Sequence, residues 1–140
     1  MRVSNAPVIR IFIADNYQTV LYGLTKLIEG EYPHMQLVGS ARNAGATLKG
    51  VAEILPDVLV LDDELVDIKC LEFLPQLTTF GHHRILILTS QQYSPNFTRD
   101  ALAQGADEVL SKDVAASSLL NAIERLSTKQ DVGEVATKTA

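Results

Sequence analysis

An open, doubly wound α/β sheet of five parallel strands and five helices is expected of this chain for three reasons. Short apolar runs of strand length recur along it, and most of them stop at an acid or a hydroxyl. Stretches with apolar residues at helical spacing separate those runs. The most sharply bounded run, Val58-Leu59-Val60-Leu61, has no polar residue in alternation, as in a strand covered on both faces.

The elements follow in chain order. Val8 to Ala14 is the first strand, and Asp15-Asn16 follow it. Val20, Leu21, Leu24, Leu27 and Ile28 form one helical stripe, closed by Gly30 and Pro33. Leu37 and Val38 mark a short second strand ending near Gly39-Ser40. Leu48, Val51, Ala52 and Leu55 mark a helix that Pro56 stops, because proline has no N–H to continue it. The central run ends in Asp62-Asp63-Glu64 and leads to a helix carrying Leu71, Leu74 and Leu77. Arg84 to Ser90 is the fourth strand, ending in hydroxyls. Asn96 to Gln104 is a weaker helix with Phe97 and Ala101 inward and Gly105 at its end. Glu108-Val109-Leu110 is a short last strand, ending at Ser111-Lys112-Asp113. Ala115, Leu119, Ala122, Ile123 and Leu126 form the final amphipathic helix. Residues 1–128 are thus expected to be one domain, and residues 129–140, polar and aperiodic, a tail or linker.

The bulk composition agrees. At 140 residues, 46% hydrophobic and 21% charged, the chain is long enough to bury a sizeable core. No apolar run approaches the roughly 20 residues of a membrane helix, and Met1 to Pro7 is too short and polar for a signal peptide. The single cysteine, Cys70, excludes an internal disulfide framework and a thiolate zinc site, which favours the cytoplasm. A net charge of -5 gives no global attraction for nucleic acid, so DNA binding would need a further domain.

Short, right-handed connections favour the flavodoxin-like strand order 2-1-3-4-5, with its ligand crevice between the first and third strands. Asp15 and Asp62 end those two strands. The other strand ends add Asn16, Glu64, Thr89, Ser90 and Lys112. Oxygen donors in this number suit a hard cation such as Mg²⁺, which takes one or two carboxylates plus phosphate and keeps several waters. A lysine and a hydroxyl can hold phosphoryl oxygens, and a carboxylate placed in line can attack phosphorus to form an aspartyl phosphate.

From about Arg10 to Leu126 the chain resembles the receiver domain of two-component response regulators. The match lies in Asp15-Asn16, Pro56-Asp57-Val58-Leu59-Val60-Leu61-Asp62, Leu88-Thr89-Ser90, and Gly105-Ala106-Asp107 leading to Lys112-Asp113. The last segments look most like receivers of the NarL/LuxR class of transcription factors. The resemblance implies a CheY-like fold with Asp62 as phosphoacceptor, Thr89 as switch hydroxyl and Lys112 as phosphate-contacting lysine. It implies that Asp15 and Asn16 fill the two acidic metal positions, that the Glu64 backbone carbonyl is a third Mg²⁺ ligand, and that Ser90 leaves room for the phosphoryl group. Implied partners are a histidine kinase, a DNA-binding output domain and a second copy in a homodimer. The interface would lie on the first and fifth helices, or on the fourth helix, fifth strand and fifth helix.

The sequence also departs from that pattern. Asn16 removes a full negative charge from the metal position, so weakened metal binding is expected unless Glu64 turns inward to restore it. Leu65-Val66-Asp67 replaces the usual Met-Pro-Gly and Cys70 a frequent glycine, so a differently shaped, mobile loop is expected. Val109 stands at the aromatic switch position, with Tyr93 the nearby aromatic, and the segment from Thr89 to Gly105 is slightly long. Asp63 is expected to point away from the crevice by strand alternation, and His82-His83 to be a solvated pair. Gly45 and Gly50 lack a following Lys-Ser or Lys-Thr and make no P-loop. The alternative reading is a pseudo-receiver that binds partners without phosphorylation. A Mg²⁺-dependent phosphohydrolase is the third, disfavoured because no cap segment exists, so the chain is not expected to be an enzyme.

Overall fold

A computed structural model describes residues 7–65, 67–80, 83–90 and 94–128. The expected tail at 129–140, His82 and Tyr93 lie outside them. Five strands alternate with five helices: β1 (Ile9–Ala14), α1 (Gln18–Glu29), β2 (Met35–Ala41), α2 (Ala44–Ile54), β3 (Val58–Asp62), α3 (Cys70–Leu77), β4 (Arg84–Thr89), α4 (Pro95–Ala103), β5 (Glu108–Ser111) and α5 (Ala116–Ser127). All neighbouring strands are parallel, in the order β2-β1-β3-β4-β5. This is the flavodoxin-like order expected from the sequence. The expected elements form within a few residues of their expected limits.

Every residue of β3 is buried, which is why its sequence has no polar alternation. The two faces of the sheet separate by residue parity. Leu59 and Leu61 of β3, with Ile85 and Ile87 of β4, pack beneath α2, α3 and α4. Val58 and Val60, with Leu86 and Leu88, pack beneath α1 and α5. A strand residue of this sheet therefore faces one helical layer or the other, according to its parity.

Two glycines make room for Phe12. A Cβ at Gly39 would lie 2.8 Å from the Phe12 ring, and one at Gly50 would lie 2.5 Å from it. Gly50 thus serves the packing of α2 on the sheet. Gly105 follows α4 with φ +119°, a conformation that favours glycine. Ser94 caps the same helix by accepting a hydrogen bond from the Phe97 N–H at 3.3 Å.

Candidate functional site

Strand register brings the candidate residues to one place. Ala14 lies opposite Leu61, Asp62 opposite Leu88, and Thr89 opposite Ser111. The next residues along β1 and β5 are Asp15 and Lys112. The Lys112 N–H donates to the Thr89 carbonyl at 2.9 Å, which fixes where its side chain starts.

Lys112 is the hub. Its Nζ lies 2.7 Å from Asp62 Oδ1, 2.9 Å from Glu64 Oε1 and 3.7 Å from Asp63 Oδ1. It also sits 5.8 Å from the centre of the Tyr17 ring, a contact sequence reasoning missed. Burial works against the ammonium, but hydrogen bonds to Asp62 and Glu64 and their charges outweigh it, so its pKa lies above the ordinary lysine value.

Asp62 is buried, and its Oδ1 also accepts the Glu64 N–H at 3.1 Å. Its other oxygen, Oδ2, is buried and receives no hydrogen bond among the described residues. Asp15 is equally buried and accepts the Tyr17 N–H at 2.9 Å. Burial pushes its carboxyl up to about 6, against the lowering effect of that N–H. The charge of Asp62 adds to the rise, and Lys112 partly opposes it.

Asp15, Asp62 and Lys112 therefore meet as expected, and the other candidates are placed nearby. Thr89 is buried at the end of β4, but its hydroxyl donates to Asp63 Oδ2 at 2.6 Å. Asp63 is itself buried, and with its Oδ1 3.7 Å from Lys112 Nζ it borders the site, contrary to the expectation that it points away from the crevice. Alternation does turn it to the opposite face from Asp62, but that face is covered by α3 and α4 and also holds Thr89. The Glu64 carboxylate is half-exposed and engaged by Lys112 at 2.9 Å. Asn16 is half-buried, and its backbone carbonyl accepts two hydrogen bonds from the Arg42 guanidinium, at 3.1 and 3.3 Å. Ser90 is exposed just past β4.

The loop after β3 is tethered where Met-Pro-Gly is absent. The Asp67 carboxylate accepts the Ala44 N–H at the start of α2, at 3.0 and 3.1 Å, and Leu65 is buried in the core. Burial, aided by Asp63 and Asp62, pushes the Cys70 thiol up to about 12, leaving it unreactive near neutrality. His83 is partly buried rather than solvated, and burial lowers its pKa.

The donor set fits a hard divalent cation. Asp15, Asp62 and Asp63 are buried with Lys112 as the ammonium among them, and Asp62 Oδ2 lacks a donor. Carboxylate oxygens of Asp62, Asp63 and Glu64 also lie within 4.8 Å of one another.

Comparison with known proteins bears on the same residues. Residues 11–124 match the response regulator receiver domain. The chain belongs to this family. The receiver is 32% identical over 117 residues to the DNA-binding transcriptional activator DevR/DosR of Mycobacterium tuberculosis, covering 83% of this chain and 53% of that protein. It thus spans about half the length of that relative. Among solved structures it superposes with TM-score 0.79 on a LuxR-family two-component response regulator from Aurantimonas sp. SI85-9A1, at 30% identity and 86% coverage of both chains. The response regulator domain of Thermotoga maritima CheB shares the fold with TM-score 0.81, at 23% identity, covering 89% of this chain and all of that one. Among the described residues of the receiver, no helix is long and apolar enough to cross a membrane.

Proposed function

We propose that this receiver accepts a phosphoryl group on Asp62 from the phosphohistidine of a histidine kinase and thereby controls a DNA-binding output domain or a second copy of itself. The observation that carries this reading is the orphaned Asp62 Oδ2, a buried nucleophilic oxygen whose partner oxygen is held by Lys112 at 2.7 Å. In the transfer, a lone pair of that oxygen forms the P–O bond and the P–N bond of the phosphohistidine breaks. The imidazole leaves with that electron pair. Lys112 is already beside Asp62 and would exchange its carboxylate contact for a phosphoryl oxygen. Thr89 would supply a hydroxyl to another phosphoryl oxygen, and the small Ser90 leaves space at the end of β4.

Asp15, Asn16, Asp62 and the Glu64 backbone carbonyl are the residues that would hold Mg²⁺. When bound, the ion offsets the negative charge that gathers as a phosphoryl group approaches carboxylates. Asn16 offers only an amide oxygen, so weak Mg²⁺ binding is part of the proposal. The chain acts as a phosphoacceptor module in the cytoplasm and not as an enzyme in its own right.

Incubation with acetyl phosphate and Mg²⁺, followed by intact mass measurement, tests this. One phosphate adduct is expected, and it should vanish in Asp62→Asn. Absence of any adduct, together with no binding of beryllofluoride, would overturn the reading in favour of an interaction module that works without phosphorylation.

A further inference from the structure

The position directly after the acceptor carries a carboxylate on the opposite face of the sheet. Asp63 continues the row of Leu59 and Leu61, and Thr89 continues the row of Ile85 and Ile87, so both face the α3–α4 layer. There the Thr89 hydroxyl donates to Asp63 Oδ2 at 2.6 Å in a buried setting. Asp62 continues the row of Val58 and Val60, toward α1 and α5. The hydroxyl that would serve the phosphoryl group is therefore aimed at a different carboxylate.

We propose that Asp63 is a latch on Thr89, a positioning residue that holds the receiver in its unphosphorylated arrangement. This rests on the reading of Asp62 as phosphoacceptor. A threonine hydroxyl carries a single proton, so it can donate to Asp63 or to a phosphoryl oxygen but not to both. A hydrogen bond to an ionised acceptor is about twice as strong as a neutral one, and burial strengthens it further. Lys112 Nζ lies 3.7 Å from Asp63 Oδ1, so the same ammonium stands beside both the latch and the acceptor. Phosphorylation must draw on both of these groups: Lys112 turns to the phosphoryl oxygens, and Thr89 must leave Asp63. Asp63 thus sets how far the equilibrium leans toward the resting state, and a partner that stabilises the released hydroxyl would favour phosphorylation.

The test compares beryllofluoride binding in the presence of Mg²⁺ for the natural chain, Asp63→Asn and Asp63→Val, each also in a Thr89→Val background. Removing the latch is expected to tighten binding by roughly tenfold, with Asp63→Val gaining at least as much as Asp63→Asn because it has no acceptor at all. In the Thr89→Val background that gain should largely disappear. A gain of equal size in both backgrounds would mean that removed charge alone accounts for it, and would overturn the latch. So would unchanged or weaker binding in both Asp63 variants while the natural chain binds normally. If no variant and not even the natural chain binds beryllofluoride or takes phosphate, the phosphoacceptor reading fails and the latch goes with it. A urea double-mutant cycle between Asp63→Val and Thr89→Val reads the contact without any anion, and additive effects there would refute the hydrogen bond itself.

Discussion

The two edges of the sheet handle charge in opposite ways. At the amino-terminal edge Asp57, Asp107 and Glu124 are each answered locally. Asp57 accepts the Arg10 N–H at 2.8 Å, while the Arg10 guanidinium donates to the Leu55 and Ile54 carbonyls that end α2, at 2.8 and 3.0 Å. Asp107 accepts the Ile85 N–H at 2.8 Å and lies 3.8 Å from Arg84. His34 and Glu124 join the β2 side to α5 at 2.7 Å. At the carboxyl-terminal edge three buried aspartates and Glu64 gather around Lys112. The nearby Arg42 donates to a backbone carbonyl of Asn16. One edge uses charge to tie loops to strands. The other keeps an excess of negative charge that only a proton, a cation or a rearrangement can relieve.

The largest expected effect comes from removing the cation at the crowded edge. Lys112→Met leaves buried carboxylates without their compensating charge, a change that costs about 3 kcal/mol or more in comparable sites. Urea unfolding at neutral pH should show that loss. It should shrink in acid, where protonation relieves the same carboxylates. A variant as stable as the natural chain would mean that the acids are neutralised in some other way, and the contrast between the edges would collapse.

A smaller effect, of opposite sign, is expected at Asp15. Its folded pKa of about 6 lies above its ordinary value of 3.8, so the folded state holds the proton more tightly than the unfolded chain. Ionised Asp15 therefore destabilises the fold near neutral pH, and that penalty fades as pH falls through about 6 toward about 4. Asp15→Asn should consequently be more stable than the natural chain at pH 7, by about 2 kcal/mol. The difference should disappear near pH 4. Added Mg²⁺ should narrow the gap at neutral pH by stabilising the natural chain more than the variant. Equal stability of the two proteins across that pH range would show that neither burial nor the charge of Asp62 penalises ionised Asp15.

Most of this arrangement is legible in the residues. The run Val58 to Leu61 has to be a strand buried on both faces, and Asp62 then has to sit at its tip. Asp15 and Lys112 follow from the same logic applied to β1 and β5, because parallel strands place all their carboxyl ends on one side. Asp63 was hidden by a rule used outside its range. Alternation sends a side chain to the other face, but a face reads as solvent only in a sheet with one side bare. The signal was present in part, since β3 is covered on both faces up to Asp62 and Asp63 follows it directly. The tether from Asp67 to α2 was hidden for a different reason. It joins residues 23 positions apart in sequence, and no local pattern announces that a loop acid will meet a helix start. The Lys112 contact with Glu64 likewise depends on side chains of separate strands converging.

The smallest expected effect tests the quiet edge. His34 and Glu124 form an exposed pair, with 35% and 49% of their side chains accessible. Water competes for both groups, and salt screens what attraction remains. His34→Gln should therefore change stability by no more than about 1 kcal/mol, with a difference that diminishes further at high salt. It should leave beryllofluoride affinity unchanged, because this pair lies at the far end of the strands from Asp62. A larger loss, or any weakening of anion binding, would mean that strain at the amino-terminal edge reaches the phosphoacceptor through the sheet. The two edges would then be one coupled system, with α5 as the element that links His34 to the connection after Lys112.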